Sequence, residues 1–266
     1  MRTNMVLDKK NAVIYGGGGA IGSAVAKAFA AAGANVHLVG RTKETLDAVA
    51  GEITAAGGNA SVAVVDATDE AAVEAHVKSV VADAGTLDIS LNLVTRGDVQ
   101  GVPLLDLPTK DVVGPVATGL TANFVTARAA ARQMVEQGSG VILALNSGSA
   151  HGSPMMGATG PADAAIDAFV RNLAAEIGPR GVRVLGVWTA GLPETLSREK
   201  LATFSGGVMM EEEAFQGILQ NLDQMRMTRR SPRLSEVAAT LTFLASDHAA
   251  AITGTFVNAT SGMFPS

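Results

Sequence analysis

Short apolar runs alternate along this chain with longer stretches in which apolar residues recur at helical spacing. The first run, Ala12–Tyr15, predicts a buried strand, and Ile21–Ala32 a helix closed by Gly33. Asn35–Val39 predicts the next strand, followed by a helix capped by Thr42 that runs to about Ala56, before Gly57-Gly58. A third strand is expected at Ala60–Val65, a third helix at Asp69–Ala84 ending at Gly85, and a fourth strand at Leu87–Val94. After a Pro-containing loop, Gly101–Pro108, the pattern resumes with a long helix to Gln137 and a strand at Val141–Leu145. A helix at Ala162–Ile177 and a strand at Arg183–Trp188 follow. Residues 190–215 show no clear period and suit a mobile lid, with Glu211-Glu212-Glu213 as a solvated helix start. The run Arg226, Arg229, Arg230, Arg233 reads as a solvated loop before a helix, Ser235–Ala245, capped by Ser235; Thr255–Asn258 is the last strand.

Strands and helices joined by short connections imply βαβ units with right-handed crossovers and a parallel sheet covered on both faces. The expected fold class is α/β: a doubly wound, three-layer α/β/α arrangement with residues 1–266 as one domain. An apolar fraction of 47 % is enough for such a core. A net charge of -5 argues against a nucleic-acid partner. The absence of cysteine removes disulfides and thiolate metal sites, and His37, His76, His151 and His248 lie at no metal-ligand spacing, so no metal is expected. No run is long and apolar enough to span a membrane, and the expected location is the cytoplasm.

In a doubly wound sheet, ligands lie beyond the carboxyl ends of the strands. The stretch after the first strand is Gly16-Gly17-Gly18-Gly19-Ala20-Ile21-Gly22. Bare backbone turning into a helix leaves amide N–H groups, backed by the helix dipole, facing open space: a seat for a phosphate or pyrophosphate. Nineteen residues after Gly22, just past the second strand, stand Arg41 and Thr42. A carboxylate there would hold ribose hydroxyls, whereas a cation suits a 2′-phosphate, so the expected cofactor is NADP(H) rather than NAD(H).

With these residues in place, the chain resembles the short-chain dehydrogenase/reductases over nearly its whole length. Tyr15–Gly22 is similar to their T-G-x-x-x-G-x-G turn, with Tyr15 for the threonine and Ala20 for the middle glycine. Asp66-Ala67 is similar to the acidic segment that reads the adenine edge, and Asn92 keeps one asparagine of the N-N-A-G segment. Ala190-Gly191-Leu192-Pro193-Glu194-Thr195 resembles P-G-x-x-x-T, a cofactor-binding segment in which Gly191 takes part and Thr195 would meet the nicotinamide amide. Gly138-Ser139-Gly140, Leu173-Ala174-Ala175-Glu176 and Ile252-Thr253-Gly254 match later landmarks. The resemblance implies a Rossmann fold and a small-molecule substrate. It also implies a homodimer or homotetramer built on the helices of residues 110–137 and 162–177.

It further implies four catalytic side chains, and here the chain departs. Counting back from Leu173–Glu176 puts Thr159 at the tyrosine position and Asp163 at the lysine position; Gly119 falls at the asparagine position. The only tyrosine is Tyr15, so no other register restores the phenol. Ser147 alone keeps its role. A threonine hydroxyl is too weak an acid to replace an activated phenol, and an anion at 163 would repel cofactor phosphates or act as a base. His151, four residues past Ser147, is a candidate acid or base, and Arg96 a candidate for an oxyanion or substrate carboxylate. The expected function is an NADP(H)-dependent oxidoreductase with a non-standard proton relay, using Ser147 with His151 or a substrate group, at a site whose candidate catalytic positions also include Thr159 and Asp163. The alternative is a catalytically degenerate or non-redox protein on the same scaffold: an NADP(H)-binding sensor, a partner subunit or an elimination-type enzyme.

Overall fold

The computed structural model describes residues 5–204 and 209–264. The apolar runs form seven parallel strands: β1 (Asn11–Tyr15), β2 (Asn35–Gly40), β3 (Asn59–Val64), β4 (Ile89–Asn92), β5 (Gly140–Asn146), β6 (Val182–Trp188) and β7 (Phe256–Asn258). Their order across the sheet is β3-β2-β1-β4-β5-β6-β7. The winding reverses between β1 and β4, which pair in the register Tyr15 to Asn92. A crevice must open at their carboxyl ends.

The helices cover the sheet on both faces, as the near-continuous burial of β1, β5 and β6 requires. On one side α1 (Ala20–Ala31) buries Gly22, Val25, Ala26 and Phe29, a single stripe at helical spacing. It packs with α2 (Lys43–Ala55) and α8 (Leu234–Ala245) over Ile14, Leu38, Leu91 and Leu143. On the other side lie α3 (Glu70–Ala84), α4 (Thr109–Gln137) and α5 (Thr159–Ile177). They close over Val13, Tyr15, Ile142 and Val184. Asp69 caps α3 by accepting from Ala72 N–H at 3.0 Å, and Gly85 ends it in the left-handed conformation.

Several local expectations change. Residues 190–215 are not irregular throughout: Pro193–Thr195 form a 3-10 turn, α6 spans Arg198–Phe204, and α7 spans Glu212–Gln224; residues 205–208 lie outside the described residues. The exposed Glu211–Glu213 do start α7. Thr42 occupies the position before α2, but its hydroxyl makes no capping bond. Ser235 is not the cap of α8; that position is Arg233, whose N–H donates to Glu236 Oε2 at 2.8 Å. Within the basic run, Arg229, Arg230 and Arg233 are exposed, but Arg226 is only 1 % exposed, its fork taken up by backbone carbonyls. No helix among the described residues is long and apolar enough to cross a membrane.

Candidate functional site

The turn after β1 is made of backbone. Gly16 and Gly17 N–H both donate to Val39 O, at 2.8 and 3.1 Å, and Gly19 N–H donates to Gly16 O at 3.1 Å. Gly16 has φ +80°, and a Cβ at Gly22 would collide with Gly16 O, so both positions need glycine. Gly19 and Ala20 are exposed where α1 begins, with Ile21 half-buried behind them.

A crevice of about 490 Å³ opens over this turn. Gly16, Gly18 and Gly19 line it from the turn, Gly40-Arg41-Thr42 from the end of β2, Asp66-Ala67 from beyond β3, and Thr95 from beyond β4. Arg41 is exposed and makes no ion pair among the described residues. Thr68 donates through N–H and Oγ1 to Asp66 Oδ1 at 2.9 and 2.7 Å, which holds the Asp66 carboxyl below its usual range; nearby Arg41 lowers it further. Asn92 faces inward instead: its Nδ2 donates to Thr126 Oγ1, and its Oδ1 accepts from Val94 N–H, each at 3.0 Å.

The second half of the site lies beyond β4 and β5 and is built from charged side chains. Asp163, on the first turns of α5, is 0 % exposed. Its Oδ2 accepts from Ser147 Oγ at 2.6 Å, Ser147 N–H at 3.0 Å and Ser149 N–H at 3.1 Å. Its Oδ1 accepts from Arg96 Nη1 at 2.7 Å. Arg96 Nε donates to Asp98 Oδ2 at 3.1 Å. Burial pushes the Asp98 carboxyl up, against the pull of Arg96. The Asp163 charge is therefore paired and enclosed rather than presented to a phosphate, contrary to the repulsion expected from sequence.

Gly119 explains how a guanidinium reaches this corner. A Cβ on Gly119, within α4, would collide with Arg96 Cδ and lie 2.9 Å from Cγ. Only a bare backbone lets the arginine stem cross the helix. Thr159 is buried at the start of α5, where Gln100 Nε2 donates to its Oγ1 at 3.2 Å. His151 is not joined to Ser147: it is exposed, and its ring meets Trp188 edge-on at 4.8 Å. Trp188 Nε1 and Asn146 Nδ2 both donate to the buried Asp167 Oδ1, at 3.4 and 2.8 Å, and desolvation raises the Asp167 carboxyl.

On the loop after β6, Arg226 Nη2 donates to Ala190 O and Gly191 O at 2.7 and 3.1 Å, and Nη1 donates to Leu222 O. This fixes the backbone of Gly191. Thr195 Oγ1 donates to Leu192 O at 2.9 Å. Of the candidate catalytic residues, the structure joins Ser147 and Asp163 directly, while Thr159 and His151 have other partners. Sequence reasoning missed Asp98, Ser149 and Gln100 as neighbours; the polar cluster Arg96, Asp98, Gln100 in one loop was the available signal. Among the described residues, no group of three or more His, Asp or Glu is placed to hold a metal ion.

Comparison with known proteins agrees with this fold. The profile of the enoyl-(acyl carrier protein) reductase family matches residues 18–263. L-rhamnose 1-dehydrogenase (NAD(P)+) of Azotobacter vinelandii is 30 % identical over 272 residues, covering 98 % of each chain. Among solved structures, NAD+-bound xylitol dehydrogenase superposes with a TM-score of 0.85 at 26 % identity, covering 96 % of this chain and 99 % of that one. 7α-hydroxysteroid dehydrogenase complexed with NADH and 7-oxoglycochenodeoxycholic acid superposes with a TM-score of 0.83 at 27 % identity, covering 97 % and 96 %. The parallel sheet with its switch point, the glycine turn and the match along almost the entire chain establish that the protein belongs to the short-chain dehydrogenase/reductase superfamily of oxidoreductases.

Proposed function

We propose that the protein is an NADP(H)-dependent oxidoreductase of an alcohol/carbonyl pair, in which Ser147 and Asp163 take the place of the family's phenol. The backbone cradle of Gly16–Gly22 suits a pyrophosphate, and Arg41 with Thr42 suits a 2′-phosphate. Asp66 and Ala67 would hold the adenine edge, and the Arg226-braced loop at Gly191 and Thr195 would face the nicotinamide. When bound, the cofactor supplies or accepts hydride.

The proton belongs to the chain. In alcohol oxidation, Ser147 Oγ accepts the substrate hydroxyl proton as its own proton passes to Asp163 Oδ2; in carbonyl reduction both transfers run backwards. The observation that carries this reading is the 2.6 Å bond from Ser147 Oγ to an enclosed carboxylate. One observation favours the non-redox reading: both Ser147 and Thr159 already have side-chain partners. We also infer self-association through α4 and α5, where Phe124, 43 % exposed, stacks edge-on with Phe169 beside Ala131, Val135, Leu173 and Ile177.

NADPH oxidation against a broad panel of carbonyl compounds tests the proposal. Turnover by the native chain that falls by at least a hundredfold in Ser147→Ala supports it. Uniform silence with NADPH bound selects the non-redox reading.

A further inference from the structure

We infer that Arg96 is a catalytic residue of this site: its free Nη2 donates to the substrate carbonyl oxygen and holds the negative charge that develops there. The inference rests on the oxidoreductase reading above and names the group that replaces the missing electrophile.

The Arg96 side chain is 13 % exposed, unlike Asp163 behind it. Its Nε is bound by Asp98 and its Nη1 by Asp163, so two carboxylates fix the plane of the fork. Nη2 has no partner among the described residues and is not enclosed. A guanidinium clamped on two edges with its third left open is a preorganised donor, which needs no reorientation as charge builds on an oxygen.

Asp163 Oδ2 is held by two peptide N–H groups and one hydroxyl, and its Oδ1 is turned to Arg96. Asp98 is desolvated, which weakens its ionised form. The open donor of this corner is Nη2, with a carboxylate on Nε and another on Nη1. Gly119 belongs to the same device, because any side chain there would displace the arginine stem.

The chemistry balances without another group. The carbonyl carbon takes a hydride, which reduced nicotinamide would supply, and the oxygen takes the Ser147 Oγ proton; an Asp163 that enters the step protonated at Oδ2 replaces it and regains its own proton from solvent afterwards. Arg96 transfers nothing; it stabilises the alkoxide between the two events. Because two carboxylates flank Nη2, neutral ketones and aldehydes are favoured over keto acids.

The test uses the native chain, Arg96→Met and Gly119→Ala, assayed with NADPH against neutral ketones and aldehydes. NADPH affinity is measured by calorimetry and folding by circular dichroism. Arg96→Met is expected to be less stable, because it strands the buried Asp163, but to remain folded at the assay temperature with unchanged NADPH affinity, and to lower kcat and kcat/KM together by at least a hundredfold. Added guanidinium at millimolar concentration should restore part of the turnover, and Gly119→Ala should show a smaller loss of the same kind. Turnover in Arg96→Met within threefold of the native chain overturns the inference and leaves the oxidoreductase reading standing. So does a loss that guanidinium does not restore while fold and NADPH affinity are intact, since Arg96 then only props Asp163. A silent native chain overturns both.

Discussion

The crevice over the glycine turn and the charged cluster beyond β4 and β5 are made in opposite ways. Beyond β1, β2 and β3 the glycine turn presents bare backbone, ringed by the side chains of Arg41, Thr42, Asp66 and Thr68. Beyond β4 and β5, Arg96, Asp98, Ser147, Ser149 and Asp163 interlock through charged hydrogen bonds. The first half works by what is absent, because glycine leaves amide donors uncovered; the second works by side chains that hold one another in place. A backbone cradle tolerates change at most of its neighbours, whereas an interlocked network fails as a unit.

The largest effect should come from breaking the network. Asp163→Ala leaves the largely buried Arg96 without its main partner and the Ser147 N–H unpaired, which should cost about 3–5 kcal/mol in urea denaturation. A change below ~1 kcal/mol would show that water already reaches this corner. On the cradle side, Arg41→Ala should leave folding unaffected and weaken NADPH binding by about 1.5–3 kcal/mol, with NADH binding unchanged. Equal losses for both nucleotides would remove Arg41 from the 2′-phosphate.

The smallest effect lies outside both halves. His76, on α3, is lowered to about 4, first by desolvation and then by the nearby His37. Its unfolded counterpart titrates near ~6.5. Between these values the unfolded chain takes up a proton that the folded chain refuses, so stability is full above the upper value and falls as pH drops through the window. His76→Leu should flatten that slope, by ~1 kcal/mol at pH 5, and change nothing at pH 8.

The contrast between the halves also explains what the sequence discloses. The cradle is local: Gly16 to Gly22 follow one apolar run, Arg41 follows the next, and a strand-turn-helix period positions both. The same periodicity placed all seven strands, with boundary shifts of one or two residues at most ends. The network is non-local. Arg96 and Asp163 lie 67 positions apart, and nothing in their spacing says that they touch. Asp163 therefore read as a lone misplaced anion, and Gly119 as a vacancy, when together they admit and bind a cation. His151 looked close to Ser147 along the chain, but the turn at Ser149–His151 carries its ring onto Trp188. Arg226 read as solvated because its partners are backbone carbonyls, which leave no trace in a pattern of side chains.

Calorimetric titration of the native chain with NADPH and, separately, NADH addresses the central claim most directly. Saturable binding of NADPH at least tenfold tighter than that of NADH is the expected result. Absence of heat with either nucleotide at high micromolar concentration would contradict the cradle, and with it every role assigned to the residues around it.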